Sequence, residues 1–300
     1  MTTVTISEMK PTLMTASAMP METAPAAVES SKKPVGYDPD DPTTNLNVIP
    51  TFATKEEERV WAKAQLVGVF RVFARLGYAD GTNGHISLRD PIDQNTFWIN
   101  PWARHFGCIK VRDLIRVTHE GKYIEGNKCK INTAGFIIHS NIHKARPDVH
   151  VVAHAHSPYG RAWSAFGKPI EMLNQDCCYF YDDLSVYGGF GGVVLASAEG
   201  TELARQLGPK NKSLILQNHG LITCGSTPAE AATYFITLER ACQSQLLAEA
   251  AAANGLEKRL VGDEEARYTK SWLGTKEVMY MWFQPEYEVV LHETGGDFLE

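Results

Sequence analysis

Four short apolar runs follow one another between Gly81 and Gly126, and turns separate them. Two of these turns contain Asp90-Pro91 and Glu120-Gly121. Short runs of this kind, closed by turn residues, are typical of neighbouring antiparallel strands. The runs are 85–88, 96–100, 114–118 and 122–125. The pattern therefore predicts that the fold is organised around an antiparallel sheet.

Helical patterns precede and follow this sheet. Thr54 and Glu57 form a capping-box pattern that begins a helix ending at Gly77, and Thr227 and Glu230 form a second such pattern at the start of the longest helix. The other predicted helices are 132–144, 158–166 and 202–207, and the other predicted strands are 149–156, 192–195, 213–219 and 221–224. This order predicts an α/β fold, a three-layer α/β/α sandwich with a mostly antiparallel central sheet.

Composition restricts the domain organisation and the partners. Residues 1–50 are rich in Met, Thr, Ala, Ser and Pro, which predicts a flexible N-terminal arm before one folded domain at 51–300. The formal net charge of −6 provides no basic field, so we expect a small-molecule substrate and neither nucleic acid nor membrane as partner. The six cysteines lack CxxC spacing, and we expect a cytoplasmic protein with reduced thiols.

Three histidines occur where predicted strands end. His154 and His156 are two residues apart, which places both imidazoles on the same face of a strand, and His219 ends another predicted strand. Three neutral imidazoles with an open fourth position are typical of a catalytic divalent metal site, with Zn²⁺ favoured and Fe²⁺, Mn²⁺ or Co²⁺ also compatible. Spacing alone leaves open a chance pair of structural histidines that donate to backbone carbonyls.

Longer runs around these histidines resemble one known family. The runs 131–140, 142–149, 154–157 and 217–221 are similar to those of the class II aldolase/adducin family, and the resemblance extends from about Lys55 to Leu299. It implies that His154, His156 and His219 match the metal ligands of the family. It also implies the α/β/α sandwich of the family, assembled as a homotetramer with sites near subunit interfaces.

The chain also departs from the aldolase pattern. The resemblance implies that Gly135 stands where sugar-phosphate aldolases have a glutamate that acts as acid/base and metal contact. Their phosphate-binding residues are altered as well, since their Gly-Asn is Gly84-His85 here, their paired serines are Thr133-Ala134, and their Ser-Gly turn is Trp102-Ala103. Four residues are therefore candidates for a catalytic role. His139 lies one helical turn after Gly135, so its imidazole could approach the vacated space, and it is the first candidate base. His85 could contact a substrate oxyanion, Gln175 falls where the aldolases place an interface tyrosine, and Asp176 is an alternative carboxylate that could instead orient a ligand histidine. Each also has a purely structural interpretation.

The sequence predicts a metal-dependent lyase that cleaves a carbon–carbon bond or decarboxylates a small carbonyl compound or 2-oxo/hydroxy acid other than a sugar phosphate. The run Asn83-Gly84-His85-Ile86-Ser87 also looks like relatives that include iron-dependent oxygenases of aromatic 2-oxo/hydroxy acids. A third interpretation is an adducin-like cytoskeletal, actin-binding interaction protein. The complete histidine set favours an enzyme over this third interpretation.

Overall fold

The computed structural model describes residues 48–189, 192 and 197–300. Most of the predicted arm at 1–50 and most of the predicted strand at 192–195 therefore lie outside the described residues. Seven α-helices occur in the part of the chain that is described, and the last two were not predicted from the sequence patterns. They are α1 (Lys55–Arg75), α2 (Thr133–Ala145), α3 (Pro158–Ser164), α4 (Ser197–Leu207), α5 (Pro228–Ala252), α6 (Asp263–Leu273) and α7 (Lys276–Thr294).

The two predicted capping boxes differ in the structure. The first is present in full, since Thr54 and Glu57 exchange side-chain hydrogen bonds with each other's backbone N–H groups. The second is present only in part. The Thr227 hydroxyl accepts from Glu230 N at 3.1 Å, but the Glu230 carboxylate accepts from the backbone and hydroxyl of Ser226 and pairs with the Lys212 ammonium. The prediction of a reciprocal box was wrong because a charged partner takes the carboxylate.

Within the described residues, eight strands form one sheet in the order β4-β3-β2-β1-β5-β8-β7-β6. Of the pairs between these strands, only β6–β7 is parallel, so the prediction of a mostly antiparallel sheet is confirmed. Strand β6 was not predicted. The strands are β1 (His85–Arg89), β2 (Thr96–Ile99), β3 (Ile115–Thr118), β4 (Tyr123–Gly126), β5 (Val151–Ala155), β6 (Leu184–Tyr187), β7 (Ser213–Leu216) and β8 (Gly220–Gly225).

Helices cover both faces of this sheet, and strand β5 shows how the two faces are separated. Val151, Ala153 and Ala155 belong to the larger apolar core, which includes residues of α1, α5 and α7. Val152 points the other way and belongs to a smaller core with Ile138 of α2, among others. Since side chains alternate along a strand, His154 lies on the same face as Val152. The sheet thus directs the histidines of β5 towards the α2 side.

Candidate metal centre

Strand β5 and the residue after it carry the first two histidines. His154 is buried within the strand, and His156 follows the end of the strand and is partly exposed. Their ring centroids are 5.1 Å apart. The alternation of the strand therefore brings both imidazoles to one edge of the sheet, as the sequence pattern predicted.

The third histidine lies in the tight turn between β7 and β8, beyond the observed end of β7 at Leu216. Asn218 adopts a left-handed φ of 58°, which asparagine tolerates better than most residues, and its N–H donates to Ser164 O at 3.1 Å. His219 N donates to Leu216 O at 3.0 Å, which closes the turn. As a result, the His219 ring lies 4.9 Å from the His154 ring and 4.8 Å from the His156 ring.

The three imidazoles fit a divalent cation. One nitrogen from each ring lies within 4.8 Å of the other two. His154 Nδ1 is 2.8 Å from Leu221 O, so it carries the proton and leaves the Nε2 lone pair available for a metal. Burial lowers the pKa of His154 and of His156, and it lowers the pKa of His219 to about 4. All three rings are therefore neutral near pH 7, as metal ligands must be.

His85 joins this group from the neighbouring strand. It is the register partner of His154 in the antiparallel β1–β5 pair, and the two ring centroids are 4.8 Å apart. The residue before it, Gly84, has a φ of +96°, and a Cβ there would lie 2.9 Å from the Phe106 ring. The glycine lets the chain enter β1 close to His154, which places the His85 ring beside the His154 ring.

The His85 ring fills the space that the resemblance assigned to a glutamate. A Cβ on Gly135 would lie 2.3 Å from His85 Cδ2 and 2.6 Å from His85 Nε2. These distances are well below ordinary contact, so Gly135 and His85 accommodate each other. His139 was expected in this space, but it lies behind the His85 ring, fully buried.

A chain of hydrogen bonds leads from His85 into the space between β1 and α2. His85 Nδ1 is 2.7 Å from His139 Nε2, and His139 Nδ1 is 2.6 Å from the Ser87 hydroxyl. Ser87 Oγ is in turn 2.8 Å from His143 Nε2, and His143 Nδ1 is 3.3 Å from Val149 O. All four side chains are buried. Sequence reasoning missed Ser87 and His143, although alternation in β1 and the four-residue spacing from His139 to His143 place them on facing surfaces.

The Val149 carbonyl, at the end of this series of hydrogen bonds, determines which nitrogen of each histidine carries a proton. Val149 O can only accept, so His143 Nδ1 carries a proton and His143 Nε2 accepts from the Ser87 hydroxyl. Ser87 then accepts from His139 Nδ1, and His139 Nε2 accepts from His85 Nδ1. Burial lowers the pKa of all three histidines, which favours these neutral forms. His85 Nε2 is left unprotonated beside the cluster of His154, His156 and His219.

The neutral buried histidines predict a stability that falls with acid. In the unfolded chain a histidine protonates near pH 6.5, whereas burial holds the pKa of His85, His139, His143 and His154 well below that value. Below about pH 6.5 the unfolded state therefore binds more protons, and each group lowers the free energy of unfolding by up to about 1.4 kcal/mol per pH unit. Urea unfolding of chelator-treated protein between pH 7.5 and pH 5.5 measures this loss. A free energy of unfolding that does not change with pH would contradict the buried, neutral state of these histidines. The control is His292→Gln, which replaces an exposed histidine.

Glu239 of α5 holds the loop that follows His156. Its buried carboxylate accepts from the Ser157 hydroxyl at 2.5 Å, from Tyr159 N at 2.7 Å and from Gly160 N at 2.6 Å. These two backbone donors belong to the first turn of α3, which has no other helical acceptor for them. Sequence reasoning gave Glu239 no role at the site, because its partners lie too far along the chain for a local pattern to reveal.

We expect Glu239→Ala to lower the free energy of unfolding by about 3 kcal/mol, because three donors, two of them buried, lose their acceptor. Metal affinity should fall as well, since the first turn of α3 follows His156 directly. Urea unfolding and a metal titration measure the two effects. Arg240→Ala, on the exposed side of the same helix, is the matched control and should change the free energy of unfolding by less than about 0.5 kcal/mol. Equal results for the two variants would contradict the role of Glu239.

Gln175 and Asp176 do not belong to this cluster within the chain. Both are exposed at the start of the short 3-10 helix Asp176–Phe180. Asp176 lines a small separate cavity that also involves Arg240 and Glu286. The backbone carbonyl of Leu221, and not Asp176, orients the ligand His154.

The histidines line a cleft of about 330 Å³. None of its described lining residues is an aspartate or glutamate, so the only formal charge that they contribute is the Arg161 guanidinium. The lining residues are Asn83, Gly84, His85, Asn132, Ala134, Ile138, His154, His156, Arg161, Gly192, Asn218 and His219. Elsewhere, among the residues that the structure describes, no helix has the length and apolar character needed to cross a bilayer.

Comparisons with known proteins agree with this fold. The sequence model of one protein family, the class II aldolase and adducin N-terminal domain, matches residues 64–246 of this chain. The 4-hydroxy-3-prenylphenylpyruvate oxygenase/4-hydroxy-3-prenylbenzoate synthase of Streptomyces roseochromogenus is 41% identical over 81% of this chain and 86% of its own length. The decarboxylase NovR of Streptomyces niveus is 41% identical over 81% of this chain and 88% of its own length.

A solved structure is also similar. The L-fuculose 1-phosphate aldolase of Glaciozyma antarctica is 41% identical, superposes with a TM-score of 0.76, and is matched over 83% of this chain and 96% of its own. Members of the family typically depend on a divalent metal, are often oligomeric and act on small molecules. This chain belongs to the class II aldolase and adducin N-terminal domain family, and it is an enzyme of the class II aldolase type.

Proposed function

We propose that this protein is a metal-dependent lyase that cleaves a carbon–carbon bond in, or decarboxylates, a small 2-oxo or 2-hydroxy acid. The observation that carries the proposal is the cleft itself. It combines three converging neutral imidazoles with a fourth, His85, and its described lining contains no carboxylate. A site of this composition favours a substrate that brings its own negative charge.

In this proposal His154, His156 and His219 hold the divalent ion. Zn²⁺ is favoured because three histidines with an open position are typical of catalytic zinc, and Fe²⁺, Mn²⁺ and Co²⁺ are the alternatives. When bound, the ion acts as a Lewis acid towards the substrate oxygens. The hydrogen bond from His154 Nδ1 to Leu221 O keeps the ligand nitrogen directed into the cleft.

His85 is the proposed proton acceptor. In a carbon–carbon cleavage, a base removes the hydroxyl proton, the carbonyl forms as the bond breaks, and the electron pair stays on the other fragment until a proton reaches it. His85 Nε2 is the unprotonated nitrogen beside the metal ligands. The other nitrogen of this ring, Nδ1, donates to His139 Nε2. His139 is thus a positioning residue and not the base in contact with the substrate.

Assembly belongs to the same proposal. Gln175 and Asp176 are exposed and do not line the cleft of their own chain. In a homotetramer they would meet the cleft of a neighbouring subunit, which is the position that the family resemblance suggested for catalytic side chains from an interface.

A sugar phosphate is a poor match for this cleft. The acid/base glutamate of sugar-phosphate aldolases is replaced by Gly135, and the His85 ring occupies the space. Ala134 also lines the cleft where a phosphate-binding serine was expected. The fold similarity to an L-fuculose 1-phosphate aldolase is therefore compatible with different chemistry in this chain.

An oxidative reaction is the second candidate. A relative that is 41% identical is named as an oxygenase of a phenylpyruvate derivative. The same three histidines can hold Fe²⁺ with open positions, which suits an iron oxygenase of aromatic 2-oxo or hydroxy acids.

One experiment separates these candidates. The protein is loaded in turn with Zn²⁺, Mn²⁺, Co²⁺ and Fe²⁺ and incubated with 2-oxo acids, 2-hydroxy acids, L-fuculose 1-phosphate and L-ribulose 5-phosphate, with and without oxygen. The lyase proposal predicts products from an acid in the absence of oxygen. Turnover that occurs only with Fe²⁺ and consumes oxygen would establish the second candidate, and robust turnover of either sugar phosphate would contradict both.

A further inference from the structure

We infer that Arg161 binds the carboxylate of the substrate and makes the cleft selective for carboxylic acids over uncharged carbonyl compounds. This inference rests on the proposed function, because it names the residue that recognises the proposed class of substrate. The side chain has no part in the histidine cluster, and the sequence patterns did not indicate it.

The position of Arg161 follows from the chain segment that carries the metal ligands. It lies on α3, five residues after His156, and the Glu239 carboxylate fixes the first turn of that helix. Its side chain lines the same cleft as His154, His156 and His219. The cation therefore lies beside the ligands on a rigid support.

Charge in the cleft favours an anion at this position. Arg161 is the only lysine or arginine among the described lining residues, and none of them is acidic. A bound divalent ion would add further positive charge. An acid bound here therefore meets a positive field with no competing carboxylate in the lining.

The existing partner of Arg161 leaves the guanidinium available. Arg161 Nη1 donates to the Asp80 carboxylate at 3.1 Å, and about half of each side chain is exposed. Exposed ion pairs of this kind contribute little to stability. A guanidinium has five N–H donors in a planar fork that matches a carboxylate, so Arg161 can donate to a second carboxylate or exchange the first.

A purely structural role predicts something different. Asp80 precedes the loop that leads to Gly84 and β1, and in a structural role the ion pair serves only to hold this loop against α3. In that case Asp80→Asn would have the same effect as Arg161→Gln, because either change breaks the pair. If Arg161 binds the substrate instead, Asp80→Asn frees the guanidinium and leaves acid binding intact or stronger.

The test uses the full-length protein loaded with Co²⁺, whose visible spectrum reports ligands near the metal. Wild type, Arg161→Gln, Arg161→Lys and Asp80→Asn are titrated with pyruvate, phenylpyruvate and the methyl esters of both acids. Circular dichroism and Co²⁺ content confirm that each variant is folded and loaded. If Arg161→Gln does not fold, Arg161→Lys carries the comparison, because lysine keeps the charge but loses the bidentate geometry.

We expect Arg161→Gln to weaken acid binding by about 10- to 100-fold, as for the loss of a hydrogen bond to a charged group, with ester binding almost unchanged. Arg161→Lys should be intermediate, and Asp80→Asn should bind the acids at least as tightly as wild type. Equal acid binding by the wild type and both Arg161 variants, or an equal loss in Asp80→Asn, would overturn the role of Arg161 alone. A wild-type spectrum that responds to neither acid would overturn the proposed function itself.

Discussion

His219→Ala is expected to lose its bound divalent ion while the protein remains folded. The substitution removes one of three ligands. Loss of a residue that only hydrogen-bonds to a ligand typically lowers metal affinity by about 10- to 100-fold, so we expect the loss of a ligand to lower metal affinity by more than about 100-fold. The side chain lies on a turn and is partly exposed, so the apolar cores are unaffected. His154→Ala should lose the ion in the same way, with some loss of stability because the buried Leu221 carbonyl loses its donor.

Elemental analysis after gel filtration measures the ion per chain, and circular dichroism confirms the fold. His292→Gln, which replaces an exposed histidine outside the cleft, is the matched control and should retain the ion. Full occupancy in the folded His219→Ala and His154→Ala variants would show that the ion is bound elsewhere.

Gly135→Ala is expected to destabilise the protein and to impair the site, although alanine is normally the better helix residue. The exchange of glycine for alanine in a helix favours folding by about 1 kcal/mol. Here the added Cβ would lie 2.3 Å from the His85 ring, so the ring must move and lose its hydrogen bond to His139. Overpacking of this kind typically costs about 1–3 kcal/mol, and loss of the proposed base would lower the rate by about 10²- to 10⁴-fold.

A double-mutant cycle tests this coupling. His85→Ala removes the ring, so Gly135→Ala should be much better tolerated in the His85→Ala background than in the wild type. Urea unfolding of the four proteins gives the interaction energy. A Gly135→Ala single variant that is more stable than wild type and fully active would contradict the contact.

Because of the contact between Gly135 and His85, a variant designed to act on sugar phosphates needs changes at both positions. The resemblance gives sugar-phosphate aldolases an asparagine at position 85 and a glutamate at position 135. In this chain both positions differ, and the His85 ring occupies the place of the glutamate. Gly135→Glu alone therefore forces the two side chains into one space, and the paired change His85→Asn with Gly135→Glu is the variant to test for activity on sugar phosphates.

The sequence could identify the metal histidines because their signal is local. His154 and His156 are two residues apart, His219 precedes a glycine at a strand end, and neighbouring runs match a known family. The structure brings these three rings together, and their role as ligands remains a prediction.

The environment of the histidines could not be predicted in the same way, because it depends on contacts between distant segments. His85 lies beside His154 through the register of β1 against β5, and no pattern within either strand specifies that register. The acceptor of the first turn of α3 is Glu239, about 80 residues away along the chain. His139 has the spacing of a residue that faces the cleft, but the His85 ring lies between His139 and the cleft.

Local sequence patterns likewise predicted some elements of the fold and missed others. Short strands with clear turns and the capping pattern at Thr54 were readable from the sequence. Helix α7 was not predicted, and it contains Pro285, which normally indicates the end of a helix. Strand β6 has only four residues, and its parallel pairing with β7 requires a partner more than 25 residues away.

X-ray absorption of the bound ion tests the metal site most directly. For the zinc-loaded protein we expect a first shell of nitrogen and oxygen at about 2.0–2.1 Å, with outer-shell scattering from three imidazole rings. The expected spectrum contains no sulfur, since the cleft lining has no cysteine among its described residues. A sulfur shell at about 2.3 Å, or scattering from fewer than two imidazoles, would contradict a metal centre formed by His154, His156 and His219.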